Sequence, residues 1–377
     1  MSLPPATSSE VAERLRSASA EGRGVRFTGA GTKLGWGTPA EGLEPIRIAD
    51  ARIHEHNEGD LTAVVDAGVR LHELQEALAE KDQMLALDPP LGENAEATVG
   101  GIVATTDSGP LRHRYGTSRD LVVGMTVALS DGTVAQSGGK VIKNVAGYDL
   151  SKLFTGSYGT LGAILKLSVR LHPVAPENAT AIGRSSDPAA LAAAATELSH
   201  AQIELQSLDV RWENSSGAVL ARFGGARASA PADDASETLK RHGLEVEVSA
   251  DDAEWWGDQR EAQRSQSGVV VRVSGLQSQL KDLLRAADRL DARVVGRAGL
   301  GLSWVTLPES RDTATGLADL RRALEPSPCV VLDAPCGLRG ELDVWGPQDA
   351  GATALMARVK KRFDPAGVCA PGLLGGW

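Results

Sequence analysis

Apolar residues recur along the chain with two alternating periods. Val11, Leu15 and Ala18 stand at helical spacing between Ser9 and Ala20, a stripe that needs another surface to cover it. Val25 to Thr28 then reads as a strand entering a glycine turn. A second strand, Leu61 to Ala67, turns at Gly68 into a helix predicted over Arg70 to Lys81, with Leu71, Leu74 and Leu78 on one face. Val122 to Leu129 reads as a strand, Ser130-Asp131-Gly132 as a hairpin turn, and Leu161 to His172 as a long strand stopped by Pro173.

Beyond Pro173 and Pro176 the pattern changes, which marks a domain boundary. Asp187-Pro188 supplies an N-cap and a first-turn proline to an alanine-rich helix. Strands are predicted near Leu208, Val219, Leu244, Val269, Arg293, Gly301 and Val330, and helices over 233–242, 277–290, 312–324 and 349–362. This alternation gives an α+β second domain. Ala226 to Ala235, small and polar, reads as an exposed spacer.

With 377 residues, 42% of them apolar, the chain can build more than one core. Its net charge of −10 repels phosphate backbones, and no local basic patch offsets it, so no nucleic acid partner is expected. Met1 to Glu10 lacks the basic and apolar run of a leader, and no stretch reaches the roughly 18 apolar residues of a membrane span, so a cytosolic protein is expected. Cys329, Cys336 and Cys369 form no CxxC pair, which argues against a disulfide framework, a metal site or an iron–sulfur centre. His54 and His56 sit in a polar stretch read as a loop, with surface or structural roles.

Glycine crowds the region between Gly100 and Gly162, suggesting close backbone approach to a ligand. Four segments could carry chemistry. Thr28-Gly29-Ala30-Gly31-Thr32-Lys33-Leu34-Gly35 frees several amides to converge on a phosphate. It is not a Walker loop, and the prolines and glycines of Trp36 to Pro45 stand where a dinucleotide-binding helix would begin. Asp88-Pro89-Pro90 followed by Ala97-Thr98-Val99-Gly100-Gly101 is a rigid turn feeding a glycine pair, suited to a planar ligand or to a tight turn in a core. The third segment runs through Ser108-Gly109, Arg114-Tyr115-Gly116, Gly138-Gly139-Lys140 and Lys143 to Leu150. The fourth, Gly156 to Gly162, immediately precedes a strand, so its amides would edge a pocket.

In order and spacing these segments resemble the FAD-binding domain of the p-cresol methylhydroxylase (PCMH) and vanillyl-alcohol oxidase (VAO) superfamily, over about residues 8 to 174. Gly138 to Pro173 resembles bacterial glycolate oxidase flavoprotein subunits, especially the shorter E-type subunit. Val344-Trp345-Gly346 and Lys361 to Gly367 resemble the family's closing elements. The resemblance implies an α+β fold: a PCMH/VAO-type FAD-binding domain of two α+β subdomains over 1–174, an α+β cap domain over 175–345, and a C-terminal segment, 346–377, returning to the FAD domain. It further implies that amides of Gly29, Ala30, Gly31, Thr32 and Gly35 hold the pyrophosphate, with Lys33 in solvent. Pro89, Thr98, Gly100, Gly101, Ser108 and Gly109 would border the flavin and ribityl chain, and Tyr115 and Gly116 would join that set. Gly159, Gly162 and Ile164 would line the adenine end or the domain seam. Relatives attach flavin through a loop histidine or a cysteine in the glycine segment. Thr32 and the absence of cysteine before Cys329 therefore imply noncovalent FAD.

D-type subunits that oxidise 2-hydroxy acids carry a late histidine cluster, whereas this chain has no histidine after His242, which leaves the catalytic base unassigned. Arg272, Arg297 and Arg339 are candidates for holding a carboxylate, and Lys143 and Tyr148 for polar contact with the cofactor. Ile102, Tyr158 and Ala370 depart from the family pattern near the flavin. The resemblance implies an FAD-binding oxidoreductase subunit that helps pass electrons from glycolate or D-lactate to partners, a D-type flavoprotein and an iron–sulfur subunit. Any membrane association would come through those partners. The alternatives are a stand-alone flavin oxidase or dehydrogenase, and a structural subunit that has lost flavin.

Overall fold

In the computed structural model, which describes residues 5–139, 150–310 and 312–375, the chain divides into two units. The first comprises Met1–Ser108, Tyr115–Val174 and Gln348–Trp377, the second Gly109–Arg114 and Ala175–Pro347. The short excursion of Gly109–Arg114 into the second unit has no signal in the hydrophobic pattern.

The first unit carries β1 (Pro5–Ala6), β2 (Val25–Thr28), β3 (Glu44–Ile48), β4 (Ile53–Asn57), β5 (Thr62–Asp66), β6 (Gln83–Met84), β7 (Val122–Ala128), β8 (Val134–Gly138), β9 (Ala163–Arg170) and β10 (His172–Pro173). β1, β3 and β2 form a parallel sheet in that order, and β4-β5-β9-β7-β8 form a five-stranded antiparallel sheet. Helices α1 (Ser8–Glu21), α2 (Leu71–Ala79) and α3 (Val99–Thr105) cover it. On one face Leu71, Leu74, Leu78, Ile102 and Val103 pack with Val65, Val127 and Leu167; on the other Val11 and Leu15 pack with Ala163, Leu165 and Ile46. Each fully buried leucine contributes about 1.5–3 kcal/mol. A register shift between β7 and β9 at Leu165 lets Ile164 and Leu167, three residues apart, face the same core.

Two local expectations change, and strand β3, which contains Pro45, was not foreseen. The stretch around His54 and His56 is strand β4, not a loop: His54 Nε2 lies 2.7 Å from Asp66 Oδ1 and His56 Nε2 lies 2.9 Å from Gln83 Oε1. Pro173 does not simply end a strand but pairs with Gln83 in a two-stranded ribbon.

The second unit carries β11 (Asn178–Ser185), β12 (Ser207–Glu213), β13 (Ser216–Gly224), β14 (Glu245–Ser249), β15 (Val269–Ser274), β16 (Arg293–Arg297), β17 (Leu302–Leu307) and β18 (Cys329–Asp333). They form one antiparallel sheet in the order β14-β11-β13-β12-β16-β17-β15-β18. Helices Pro188–His200, Ser229–Arg241, Leu280–Arg289 and Thr313–Ala323 bury their apolar stripes on one face of it, against Leu208, Val210, Val219, Val271, Val294 and Val305. Asp187 caps the first of these, accepting from the Ala189 amide at 2.8 Å as its sequence predicts. The segment Ala226 to Ala235 is not a spacer: helix Ser229–Arg241 begins inside it, and Ala228, Ala232 and Ala235 are buried. Small side chains there permit close helix packing, which looks like low complexity in the sequence. Helix Ala253–Glu261, unforeseen, sets Trp256 against Ile182, Ala218 and Leu220 on the opposite face.

Candidate cofactor site

β2 delivers the chain into the loop Gly29 to Gly35, which walls a cavity of the first unit. The cavity is lined by Gly29, Ala30, Gly31, Thr32, Thr98, Gly100, Gly101, Gly159, Gly162 and Ile164, all expected from the sequence. It is also lined by Arg26, Phe27, Ile48, Ala67, Ala104, Thr105 and Leu373, which sequence reasoning missed. Arg26 and Phe27 belong to β2 and carry no motif; Leu373 arrives from the far end of the chain.

The loop is held by side chains and leaves its own amides open. Arg26 donates from Nη2 to the carbonyls of Leu34 (2.6 Å) and Trp36 (3.3 Å), and burial lowers its pKa from the ordinary value. Gly31 takes φ +83°, a conformation glycine adopts without strain. Among the described residues, the amides of Gly29, Ala30 and Gly31 have no acceptor within the protein. Buried or half-buried amides without acceptors are costly unless a ligand supplies oxygens.

α3 forms the neighbouring wall. Thr98 caps it by accepting from the Gly101 amide at 3.2 Å, and a Cβ on Gly29 would fall 2.3 Å from Thr98 Oγ1. A Cβ on Gly100 would meet Ala67 at 2.6 Å. These glycines let loop, helix and sheet close up together.

Lys33 departs from expectation. It is not in solvent: its ammonium, 7% exposed, lies 3.2 Å from an Asp107 carboxylate that is 3% exposed. A charge this buried persists only because a counter-charge accompanies it.

Six expected residues do not line the cavity. Gly35 is exposed at the loop's end; Pro89 and Ser108 are buried elsewhere; Gly109 opens the excursion into the second unit. Tyr115 packs tilted against His172, ring centres 4.7 Å apart, and a Cβ on Gly116 would collide with Asp120. Lys143, Tyr148 and most of the Lys140 to Leu150 motif lie outside the described residues.

A returning segment completes the wall. Lys360 donates from Nζ to the Thr160 carbonyl (2.8 Å), to Asp364 Oδ2 (2.5 Å) and to the Cys369 carbonyl (2.5 Å). Val25 donates to the Val368 carbonyl, Ala370 to that of Val25, and Thr38 to that of Leu373 at 2.8 Å. Burial raises the Asp364 pKa, but hydrogen bonds from Lys360 and the Cys369 amide overcome this and hold it below its ordinary value.

In the second unit, Arg297 and Arg339 are not free for a substrate carboxylate. Arg297 is fully buried and paired with Asp209 at 2.5 Å, and Arg339 donates to the Leu332 carbonyl at 2.9 Å. His113, brought into this unit by the excursion, has a buried Nδ1 with no hydrogen-bond partner, and burial pushes its pKa below the ordinary value. Burial pushes the Cys329 thiol up to about 11 and raises that of Cys369 further, so neither is a nucleophile near pH 7. Among the described residues no cluster of ligating side chains is suited to a metal ion, and no helix is long and apolar enough to cross a membrane.

Residues 3–138 match a family described as FAD binding domain. Over 171 residues, 44% of this chain and 47% of the relative, the chain is 35% identical to glycolate oxidase subunit GlcE of Escherichia coli. It is 35% identical to glycolate oxidase subunit GlcD of Bacillus subtilis over 173 residues, 45% of this chain and 36% of the relative. It is 36% identical to D-lactate dehydrogenase of Archaeoglobus fulgidus over 175 residues, 45% and 38% of the two chains. The chain thus spans less than half the length of the curated relatives it matches. A solved structure of alkyldihydroxyacetonephosphate synthase superposes on 97% of this chain and 76% of its own with a TM-score of 0.72 at 15% identity. The FAD-binding fold expected from the four segments is borne out, and FAD is the cofactor expected of the FAD binding domain matched over residues 3–138. The cavity suits it: open amides at Gly29 to Gly31 offer donors to a pyrophosphate, and the facing glycines leave room for a planar ring.

Proposed function

Taking an FAD-binding domain over residues 3–138 as premise, we propose that this chain is an FAD-dependent oxidoreductase subunit acting on a small 2-hydroxy acid, glycolate or D-lactate, and passing electrons to a partner subunit. The observation that carries the reading is the open-amide loop at Gly29 to Gly31 within a region 35% identical to a glycolate oxidase subunit. Bound FAD would accept the two electrons removed from the acid. This chain's part is to hold it: amides of Gly29, Ala30 and Gly31 on the pyrophosphate, Thr98 and Gly100-Gly101 along the ring system, and Leu373 closing the cavity. The bond is noncovalent on this reading, because Thr32 stands where relatives carry an attaching histidine and no cysteine precedes Cys329. With no cysteine cluster for an electron relay, the partners are an iron–sulfur subunit and a D-type flavoprotein. The complex works in the cytoplasm, reaching a membrane only through those partners.

The test is copurification from the native host, with an absorption spectrum and dye reduction by glycolate and D-lactate on the complex and on the lone chain. A flavin spectrum released by acid precipitation, with turnover confined to the complex, is expected. Protein that takes up no flavin when FAD is added overturns the reading. A second reading, turnover by the lone chain, rests on His113 as the base, a residue whose buried Nδ1 has no hydrogen-bond partner and whose pKa burial lowers. Steady turnover by the isolated chain, abolished in His113→Gln, distinguishes it.

A further inference from the structure

β16, β17 and β15 of the second unit turn one face toward its helices and the other away. On the latter face, Arg293 pairs with Thr306 and Arg272 with Trp304. Thr306 and Trp304 are two residues apart on β17, so the four side chains share that face. Buried charges elsewhere on it each have an opposite charge, Asp209 with Arg297, Asp333 with Arg264 at 2.6 and 3.0 Å, and Asp252 with Arg222 at 2.9 Å, although Arg297 also keeps a buried Nε and Nη2 without a hydrogen bond. Arg272 and Arg293 are not. Among the described residues no carboxylate lies within ion-pair distance of either. The Nε of each is buried without a hydrogen-bond partner, and so is the hydroxyl of Thr306.

Two guanidinium groups and a hydroxyl, each with an unused buried polar atom, and flanking one indole, are costly to keep unless an anion completes them. We propose that Arg272, Arg293 and Thr306 form a binding site for a small carboxylate anion. Strand spacing sets the two arginine Cα atoms roughly 12 Å apart across β17, a gap that two arginine side chains close on one small anion. The planar fork of a guanidinium fits a carboxylate in two parallel hydrogen bonds. The Thr306 hydroxyl is left to engage a second oxygen of the ligand, and Trp304, 3% exposed and covered by the Arg297 guanidinium 4.9 Å from its ring centre, lies between the two arginines. Naming glycolate or D-lactate as the occupant rests on the function proposed above; the site itself does not. Of the three arginines that the sequence offers for a carboxylate, only Arg272 remains uncommitted, and Arg293 joins it by register alone.

The test is calorimetric titration of the full chain, with FAD added, against oxalate, glycolate, D-lactate and sulfate. Oxalate and glycolate are expected to bind, and Arg272→Gln and Arg293→Gln each to weaken binding at least about tenfold. Arg211→Gln, on the same face beside Trp255, is expected to leave it unchanged. Arg272→Lys keeps the charge but not the fork, and an intermediate loss is expected. No carboxylate binding by the unaltered chain, unchanged affinity in both Gln variants, or sulfate binding as tightly as oxalate overturns the proposal. Flavin absorbance on the same samples separates the two readings. Normal flavin with no oxalate binding sinks the anion site alone, and oxalate binding with the expected variant pattern but no flavin sinks the cofactor reading alone.

Discussion

The two units make polar surface by opposite means. In the first, the cavity wall is polar through main-chain amides that Gly29, Ala30 and Gly31 leave open. In the second, the sheet face turned away from the helices is polar through long side chains, Arg272, Arg293, Arg297 and Asp209, set side by side by register. A backbone site tolerates no added atoms, whereas a side-chain site fails when atoms are removed. Substitutions of opposite kinds should therefore damage the two.

Lys360, like Lys33, is a buried side-chain charge inside the backbone-built unit, and it tests this contrast hardest. Lys360→Met leaves Asp364 buried without its cation and is expected to cost about 3–5 kcal/mol, measured by urea unfolding. The accompanying pH dependence has a definite sign. The Asp364 pKa is depressed from 3.8, so its stabilisation is complete above that value and is lost as pH falls through the folded-state value. Lys360→Met should flatten that acid limb. An unchanged limb would mean that Asp364 is held by the Val368 and Cys369 amides alone.

Gly29→Val adds atoms to the backbone site, where the first of them already meets Thr98. A loss of about 1–3 kcal/mol is expected, with flavin absent from the purified protein by absorbance; normal flavin content would break the comparison. The mildest change is Thr98→Val, which removes the α3 cap at nearly constant volume. It should cost about 1 kcal/mol by thermal unfolding and weaken FAD modestly by fluorescence titration.

Legibility in the sequence follows the same divide. Glycine loops are visible because no other residue does their work, so the cavity's Gly29 to Gly31, Gly100-Gly101 and Gly159 walls could be named from the chain alone. Most helices and strands of the second unit were also legible, since a leucine stripe or valine alternation is local, but β11 and helix Ala253–Glu261 were not. What depends on register was not. Arg293 and Arg297 differ by four residues on one strand, yet one is locked to Asp209 and the other unpaired. Lys33 was misplaced for a similar reason: its partner Asp107 lies 74 positions along the chain and no motif links them. The helix predicted over 233–242 starts earlier, at Ser229, its first turn hidden because alanines that pack closely look like a linker when read as composition.

Leu373 and the segment fastened by Lys360 bear on when the cofactor can be captured. β2 and the Gly29 loop leave the ribosome early in synthesis, while the residue that closes their cavity emerges more than 340 positions later. At translation rates of about 5–20 residues per second, the nascent flavin domain spends on the order of twenty seconds or more without that wall. FAD loading therefore finishes after translation has passed Leu373, and until then the loop stands without its last wall.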